Sequence, residues 1–390
     1  MIGNRYDIVI LGGGPAGLAT AIAVRRRIRA TVLVAEAGPA DRERVGESAA
    51  PALLVPLGQL GLTGRFQADG HVPCPGTASL WGRDRVGYND SLYDPMGPSW
   101  RLDRRRFDAM LADAAREAGA EVVFDTPFHG ADPVSGQDAS PGTDKRGYRL
   151  TLGRSRRTVT ADLVVDATGF QARFARGRGA RRLVDDAFFA LVRFARLRSG
   201  TMPWQTLLEA AADGWWYAAR LPGERVVVML AADRAGIRRV SDDRGWASGL
   251  ADTRLIGGHL GNAVLDPAGP PLLLPVHSGR LDRPGGLDWL AVGDAAAGFD
   301  PIAAQGLYKA LTDGVAAGPV MAAMLSGAAE TGEGARAHAI ATRHADYAAT
   351  RTHLYRLERR WPGSSFWRRR AGIQLADTPS NPQPGQEIPA

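Results

Sequence analysis

A glycine-rich turn near the N-terminus constrains the fold of this 390-residue chain more than any other feature. Residues 12–17 read Gly-Gly-Gly-Pro-Ala-Gly, which is the pattern G-x-G-x-x-G. The turn follows a predicted buried strand at residues 6–11 and opens a predicted alanine-rich helix at residues 15–28. Such glycines allow a tight turn, close approach of the backbone to a pyrophosphate and close helix–strand packing. The free N–H groups and positive dipole end of the helix favour phosphate there.

A second predicted strand, residues 31–35, leads directly to Glu36. A carboxylate at this position accepts hydrogen bonds from a ribose diol and would repel a 2′-phosphate, so we expect an unphosphorylated adenosine-type nucleotide. Near-continuous apolar strands on either side of a helix predict a parallel sheet covered on both faces. The alternative is a glycine-rich turn without a ligand, which does not account for the agreement of turn, helix and carboxylate.

The rest of the chain predicts interleaved domains. Strand-like runs at 187–195, 214–220 and 225–231 indicate a sheet of their own, whereas a helix at 104–119 and a buried strand at 289–293 continue the first unit. Further helices are predicted at 304–325 and 335–358, and residues 130–146 predict an exposed loop. We expect a discontinuous first domain (1–80, 100–180 and 285–330), a second domain (81–99 and 181–284), a C-terminal helical segment (331–375) and a disordered tail (376–390).

Composition excludes several classes of protein. Hydrophobic residues make up 45% of the chain and charged residues 23%, which is ordinary globular usage. Cys74 is the only cysteine and the seven histidines are scattered, so the sequence predicts neither a disulfide nor a metal site. A secretory pattern and a run of 18 uncharged apolar residues are both missing. We therefore expect a cytoplasmic monomer without a membrane span.

Two further motifs follow the turn at long range. Residues 162–169 read Asp-Leu-Val-Val-Asp-Ala-Thr-Gly, and Gly-Asp-Ala-Ala at 293–296 is followed by Asp-Pro-Ile-Ala-Ala-Gln-Gly-Leu at 300–307. With the turn and Glu36, these motifs resemble the FAD-binding motifs of flavoprotein monooxygenases of the hydroxybenzoate-hydroxylase group, although Asp-Ala-Thr-Gly replaces the usual Gly-Asp-Gly. The resemblance implies FAD and an α/β fold: a Rossmann-like FAD-binding domain (GR2 type) with an interleaved antiparallel β-sheet substrate domain and C-terminal helices.

The resemblance also implies roles at the cofactor. Asp294 would bond the ribityl chain, and the backbone of residues 303–306 would stabilise negative charge near the flavin pyrimidine edge. Arg104 matches an arginine that the group often places near the cofactor, or is a solvated helix terminus. The implied FAD contacts are Gly12, Gly14, Pro15, Ala16, Gly17, Glu36, Ala37, Arg44, Glu47, Ser48, Arg104, Asp166, Gly169, Gly293, Asp294, Pro301, Ala304, Gln305 and Gly306.

Other segments resemble particular subgroups of these flavoproteins. Residues 46–48, Gly-Glu-Ser, are similar to a motif of flavin-dependent tryptophan halogenases and geranylgeranyl-reductase-like proteins. Residues 214–217, Gly-Trp-Trp-Tyr, resemble the halogenases' Gly-Trp-x-Trp-x-Ile-Pro, or form a buried aromatic strand. Together with residues 299–301, residues 91–104 resemble the maturation hydroxylases that act on tryptophans of partner proteins and build tryptophylquinone cofactors.

Lysine is almost absent from this basic chain. The 48 basic residues include only two lysines, Lys145 and Lys309. The halogenases use a lysine between the Gly-Glu-Ser region and residue 100 to carry or steer hypochlorous acid, and no lysine precedes Lys145 here. Arginine cannot form a chloramine in its place because a guanidinium stays protonated. The sequence therefore disfavours halogenation.

The implied function is an FAD-dependent monooxygenase that hydroxylates an aromatic substrate through a C4a-hydroperoxyflavin formed with O₂. The predicted substrate is a tryptophan side chain of a peptide or protein during quinone cofactor biogenesis, which makes the reaction a post-translational modification. NADH, NADPH or a separate flavin reductase would supply electrons. The protein must exclude water and hold the ring in place. The alternatives are a geranylgeranyl-reductase-like prenyl reductase, a halogenase and a non-catalytic flavin-binding partner.

Candidate site residues come from the same segments. The catalytic candidates are Glu47, Tyr217, His277 and Asp300, where His277 is either a base toward a substrate N–H or O–H or a packing residue. The predicted substrate pocket contains Trp81, Trp100, Trp215, Trp216, Tyr217, Phe299 and Pro301, each of which alone is more often core.

Arginine clusters at 25–29, 104–106, 173–182 and 368–370 accompany a net charge of +7. They predict an acidic protein partner or are simply solvated. Nucleic acid is not expected, because interleaved aromatics and a nucleic-acid-binding motif are missing.

Overall fold

The computed structural model describes residues 2–134, 147–328 and 333–372. Lys145, most of the predicted loop at 130–146 and the predicted tail at 376–390 lie outside the described residues. The strands are β1 (Arg5–Leu11), β2 (Val32–Ala35), β3 (Ser48–Ala49), β4 (Val72–Cys74), β5 (Gly76–Leu80), β6 (Gly87–Asp90), β7 (Ser99–Arg101), β8 (Glu121–Val123), β9 (Phe128–Pro133), β10 (Tyr148–Leu152), β11 (Arg157–Asp166), β12 (Arg182–Val184), β13 (Phe189–Ser199), β14 (Thr206–Ala211), β15 (Gly214–Leu221), β16 (Arg225–Ala232), β17 (Val264–Pro267), β18 (Leu272–Pro275), β19 (Gly279–Leu281), β20 (Trp289–Ala291) and β21 (Ala297–Gly298).

The α-helices among these residues are α1 (Pro15–Arg25), α2 (Leu54–Gln59), α3 (Thr63–Ala68), α4 (Arg104–Glu117), α5 (Arg173–Gly177), α6 (Arg234–Arg239), α7 (Asp243–Ala251), α8 (Leu255–Leu260), α9 (Gly306–Leu325), α10 (Glu333–Leu357) and α11 (Ser365–Arg370). Short 3₁₀ turns lie at Pro51–Leu53, Ser91–Tyr93, Gly169–Gln171, Gly293–Ala295 and Pro301–Ala303. In the part of the chain that the structure describes, no helix is both long and apolar enough to cross a bilayer.

The first sheet has a parallel centre. Its order is β8-β2-β1-β11, with β20 also parallel to β11, and β10 and β9 extend it antiparallel. Ile8 and Ile10 pack on the side of α1, α4 and α9, whereas Val9 and Leu11 pack on the opposite side with Tyr148. The apolar strands are buried on both faces, as their composition predicts.

Two glycines bring α9 onto α1. A Cβ at Gly314 would lie 2.6 Å from the Ala19 Cβ, and one at Gly318 would lie 2.8 Å from the Ala23 Cβ. A Cβ at Gly293 would likewise lie 2.7 Å from the Ala16 Cβ. These approaches place the third sequence motif directly beside the glycine-rich turn, although Gly293 follows Gly17 by 276 positions in the chain.

The second sheet has the order β17-β13-β16-β15-β14-β5-β6, with β18 also beside β13. Its neighbours are antiparallel except for the parallel pair β14–β5. Strand β5 belongs to this sheet, whereas the predicted boundary at residue 80 assigns its residues to the first domain. Sequence reasoning also missed β14 and the helices α6 to α8, which cover one face of the sheet around Trp246.

The predicted C-terminal helices cover the other face of the second sheet. Tyr355 of α10 and Phe366 and Trp367 of α11 pack around Trp215 of β15. The indole Nε1 of Trp81 donates to the carbonyl of Leu354 at 2.9 Å, which ties β5 to α10.

Candidate functional site

The glycine-rich turn has no room for side chains at two positions. Gly12 has a φ of +112°, and a Cβ there would lie 2.2 Å from the Ala167 carbonyl oxygen. A Cβ at Gly17 would lie 2.0 Å from the Gly12 carbonyl oxygen. The helix α1 then begins at Pro15 without a side-chain cap. Its first N–H groups therefore stay free for an anion, and this cradle fits a pyrophosphate.

Glu36 organises the same turn from the end of β2. Its buried carboxylate accepts the backbone N–H of Gly13 at 2.7 Å and that of Gly38 at 3.1 Å. The Arg44 guanidinium lies 3.5 Å from Glu36 Oε2, and its Nη1 would be 3.4 Å from a Cβ at Gly14. A ribose-binding carboxylate and a phosphate-neutralising cation thus stand at either side of the turn, which fits the adenosine diphosphate part of FAD.

Asp294 follows β20, and its carboxylate is half exposed. The Lys309 ammonium lies 3.6 Å from Asp294 Oδ1 and 3.4 Å from Asp313 Oδ2. Asp313 also pairs with Arg343 at 2.7 Å and accepts the N–H of Gly293 at 3.1 Å. This network, which sequence reasoning missed, orients Asp294 while its carboxylate stays accessible, and that geometry suits the ribityl hydroxyls.

The start of α9 is open on its N-terminal side. Ala304 adopts a φ of +49°, and Ala304, Gln305 and Gly306 are exposed. The Gln305 side chain does not cap the helix. The first N–H groups of this 20-residue helix are therefore available to the flavin pyrimidine edge, as the resemblance implied.

Asp300, a predicted catalytic residue, is turned toward the C-terminal helices. Its Oδ1 accepts the N–H of Ile302 at 3.0 Å, and its Oδ2 accepts the Tyr355 hydroxyl at 2.7 Å. Burial raises the pKa of this carboxyl to about 6. Because both oxygens are engaged, Asp300 braces the turn before α9 rather than facing a substrate.

Two predicted FAD contacts, Asp166 and Arg104, hold loops in place. The carboxylate of Asp166 is wholly buried and accepts bonds from Thr168 N, Thr168 Oγ1 and Ala175 N at 2.7–3.0 Å. Arg104 donates to the carbonyls of Val45 and Gly46 and pairs with Asp108. Asp166 therefore fixes the turn after β11, which includes Gly169 at a φ of +70°, and Arg104 fixes the loop that carries the Gly-Glu-Ser motif.

The Gly-Glu-Ser loop meets the second sheet at a cluster of hydroxyl groups. The Tyr217 hydroxyl lies 2.6 Å from Ser48 Oγ. Arg101 of β7 donates to Ser48 Oγ and to Thr206 Oγ1, and its side chain is fully buried. Among the described residues Arg101 has no carboxylate partner. Sequence reasoning missed Arg101 and Thr206, although an arginine in a strand beside an aromatic residue is a detectable signal.

Glu47 has a buried carboxyl group with one unpaired oxygen among the described residues. Its Oε2 accepts the N–H of Gly46 at 3.1 Å, while its buried Oε1 has no hydrogen-bond partner within the described ranges. Burial raises the pKa of the Glu47 carboxyl, against the opposing charge of Arg104. A carboxyl with a raised pKa holds a proton more readily than an exposed one and can take part in proton transfer.

The predicted aromatic pocket is divided by strand alternation. Trp215 and Tyr217 share one face of β15, whereas Trp216 points to the other face and packs edge-on against Trp246 with 4.9 Å between ring centroids. The prediction that all three line one pocket is wrong, because successive side chains of a strand alternate. Trp100 packs edge-on against Phe66 in the core of the first domain, and Trp81 is bonded to α10.

Three further predicted residues lie near the start of α9. Phe299 stacks on Tyr347 of α10 at 4.0 Å, and Pro301 is half buried. His277 Nδ1 accepts the N–H of Phe188 at 2.8 Å, and burial lowers the pKa of its imidazole. The neutral ring thus carries its proton on Nε2, so this geometry does not support His277 as a base.

Comparison with known proteins agrees with the cofactor geometry. Residues 5–247 match the profile of the family described as FAD binding domain. A predicted FAD-dependent oxidoreductase of Marinomonas mediterranea, LodB, is 28% identical over 373 residues, which cover 94% of this chain and 97% of LodB.

Solved structures show the same fold. The flavin-dependent halogenase CmlS is 27% identical with a TM-score of 0.76, and the match covers 94% of this chain and 67% of CmlS. QhpG, a peptidyl tryptophan dihydroxylase essential for tryptophylquinone cofactor biogenesis, is 25% identical with a TM-score of 0.67, and the match covers 94% of this chain and 79% of QhpG. The predicted α/β fold is confirmed.

Proposed function

Because this chain belongs to the FAD binding domain family, we propose that it hydroxylates an aromatic ring, with a tryptophan side chain of a peptide or protein as substrate. It is an FAD-dependent oxidoreductase of the monooxygenase family, with a halogenase and a hydroxylase among its relatives.

The cofactor would be held by the turn at residues 12–17, Glu36, Arg44, Asp294 and the start of α9. When bound, FAD supplies two-electron reduction and the activation of O₂. We propose NADH, NADPH or a separate flavin reductase as the electron source. The protein itself must position the substrate ring, exclude water and move protons.

The contact between Tyr217 and Ser48 carries the proposal. It joins the second sheet to the Gly-Glu-Ser loop, whose Val45 packs on the same apolar cluster as Tyr217. Ile302, from the turn before α9, packs on the neighbouring cluster, where Tyr217 also lies. A substrate ring at Tyr217 would therefore lie between the two loops that the FAD motifs supply.

Glu47 would handle the proton. Hydroxylation replaces a ring hydrogen, so a base must accept a proton as the ring regains its aromaticity. Among the described residues Glu47 Oε1 is an unpartnered carboxylate oxygen next to Ser48 in the chain, and the raised pKa of this carboxyl favours a role in proton transfer. Tyr217 and Ser48 would orient the ring's polar N–H.

Halogenation is the second candidate, because CmlS is among the similar structures. The described lysine, Lys309, lies between Asp294 and Asp313 and packs over the Phe299 ring. No lysine precedes Lys145 in the sequence. An amine held by two carboxylates is poorly placed to carry hypochlorous acid, so these observations favour hydroxylation.

The test uses the FAD-loaded protein with NADH or NADPH, air, sodium chloride and a synthetic tryptophan-containing peptide. Mass spectrometry of the peptide should show one or two added oxygen atoms, and Glu47→Gln should slow this addition when the rate is expressed per bound FAD. Replacement of hydrogen by chlorine would instead establish the halogenase. If the protein instead reduces the double bonds of a prenyl compound added to the assay, it is a prenyl reductase. If the bound flavin is neither reduced nor reoxidised with any of these substrates, the protein binds flavin without catalysis.

A further inference from the structure

The segment between β5 and β7 exposes an unusual group of large apolar side chains. We call residues 83–98 the arm. Tyr88 is 72% exposed, Leu92 82%, Tyr93 85% and Met96 52%. Other exposed large apolar residues are scattered through the described chain. Concentrated exposure of this kind marks an interaction surface more often than chance.

The arm is held in shape by its own polar groups. Asp90 accepts the N–H of Leu92 at 2.9 Å, and Asp94 accepts that of Met96 at 2.9 Å. The Ser91 N–H donates to the Pro75 carbonyl at 2.9 Å. These bonds engage one oxygen of each carboxylate and fix the backbone of the arm, which lowers the entropy lost when a partner binds.

The arm also contains the last strand of the second sheet. On one side β6 pairs with β5, through Ala78 opposite Tyr88 and Thr77 opposite Asn89. On the other side no strand of the described residues pairs with it. The strand contains neither lysine nor proline, the residues that proteins often use to block such edges. An extended segment of another protein can add to an open edge of this kind.

The base of the arm contains two arginines, Arg83 and Arg85, whereas its outer part contains Asp90 and Asp94. Arg83 and Arg85 are exposed and form no ion pair within the described ranges. The intervening Asp84 faces Arg254 and Arg360, each at 4.0 Å. Two free guanidinium groups next to an apolar surface complement a segment that mixes acidic and apolar side chains.

We propose that the arm is the docking element for the protein substrate, and that an extended acidic segment of that protein pairs with β6 and covers Tyr88, Leu92 and Tyr93. This inference rests on the proposed function, in which the substrate is a protein. The arm continues through β7 to Arg101, which donates to Ser48 Oγ in the candidate site. The chain therefore connects the arm directly to a residue of the candidate site.

The test measures binding without turnover. The probe is a fluorescein-labelled synthetic peptide with alternating glutamate and valine and one tryptophan, titrated with FAD-loaded protein by fluorescence anisotropy. The triple variant Tyr88→Ser/Leu92→Ser/Tyr93→Ser should weaken binding about tenfold or more. Arg83→Glu/Arg85→Glu should weaken peptide binding and remove most of the salt dependence of that binding.

The control variant is Val264→Ser/Leu273→Ser. It changes exposed apolar residues of β17 and β18 and should bind the peptide as the wild type does.

Equal affinity of wild type and triple variant would overturn the inference. So would a wild-type dimer that the triple variant converts to monomer in analytical ultracentrifugation, because a second copy would then cover the arm. If the peptide docks on the arm but its tryptophan gains no oxygen, the proposed function fails and the docking surface stands. If both proteins oxygenate the peptide equally and bind it equally, the function stands and the docking surface fails.

Discussion

The Tyr217 hydroxyl lies 2.6 Å from Ser48 Oγ, although 169 residues separate the two in the chain. Arg101 donates to the same Ser48 oxygen. A strand of the second sheet is thus bonded to the loop that follows the first strands of the FAD-binding domain. Any ring bound at this contact would be held by both domains at once.

A double-mutant cycle tests this contact. Tyr217→Phe should lower the free energy of unfolding by about 1 kcal/mol because it removes one hydrogen bond, and Ser48→Ala should lower it by about 2 kcal/mol because it also removes the bond from Arg101. The double variant should lose less than the sum, with a coupling of about 1 kcal/mol measured by urea unfolding. Strict additivity would show that the two hydroxyls do not interact.

The glycine-rich turn predicts opposite effects for two glycine-to-alanine changes. Gly12→Ala places a Cβ against the Ala167 carbonyl at a positive φ and should cost about 3 kcal/mol or more and abolish FAD binding. Gly64→Ala, in α3 with open space around it, should leave FAD binding intact and stabilise the protein by about 0.5 kcal/mol. FAD fluorescence quenching and urea unfolding measure both, and normal FAD affinity in Gly12→Ala would contradict the geometry.

Asp300 predicts a specific dependence of stability on pH. Its pKa is raised from 3.8 to about 6 by burial, so the folded state binds the proton more tightly than the unfolded state. The contribution of this group to stability is therefore full below about pH 4 and falls as pH rises toward 6, by roughly 3 kcal/mol in all. Compared with Asp300→Asn, the wild type should lose that amount between pH 4 and 7 in urea unfolding. A difference that does not vary with pH would show that Asp300 titrates normally.

We expect a change at Lys309 to affect both the free energy of unfolding and the affinity for FAD. Lys309→Met leaves Asp313 buried with Arg343 as its remaining partner and frees Asp294 to move. We expect a loss of about 3 kcal/mol in unfolding free energy and a weaker FAD affinity. Lys309→Arg keeps the charge and should recover part of both. If Lys309→Met binds FAD like the wild type, Asp294 does not need this support.

The motifs close to one another in the sequence were predicted well. The turn at residues 12–17, the strand before it and Glu36 are local, because a strand, a glycine turn and a helix start are specified by adjacent residues. The helices α9 and α10 were predicted within a few residues from their apolar pattern. The domain assignments and the predicted site roles that no comparison addresses stay predictions.

The errors arose where distant segments meet. Trp215, Trp216 and Tyr217 were grouped by adjacency, yet the pleat of β15 sends Trp216 to the opposite face. The motifs of Asp166 and Asp300 do not show that Asp166 accepts backbone N–H groups and that Asp300 accepts the Tyr355 hydroxyl, and their roles at the cofactor or substrate stay predictions. Only the packing of other elements shows which direction a carboxylate faces.

The sequence by itself determined the cofactor class and showed that no lysine precedes Lys145. Both conclusions rest on the glycine spacing, on a carboxylate at the end of a strand and on residue counts. None of these depends on contacts with distant residues. The tertiary structure decided that Lys309 sits between Asp294 and Asp313, that Arg101 is buried against Ser48, and that Glu47 keeps a free oxygen. The physical reason is that burial and hydrogen-bond partners, which set the reactivity of a side chain, come from residues far away in the chain.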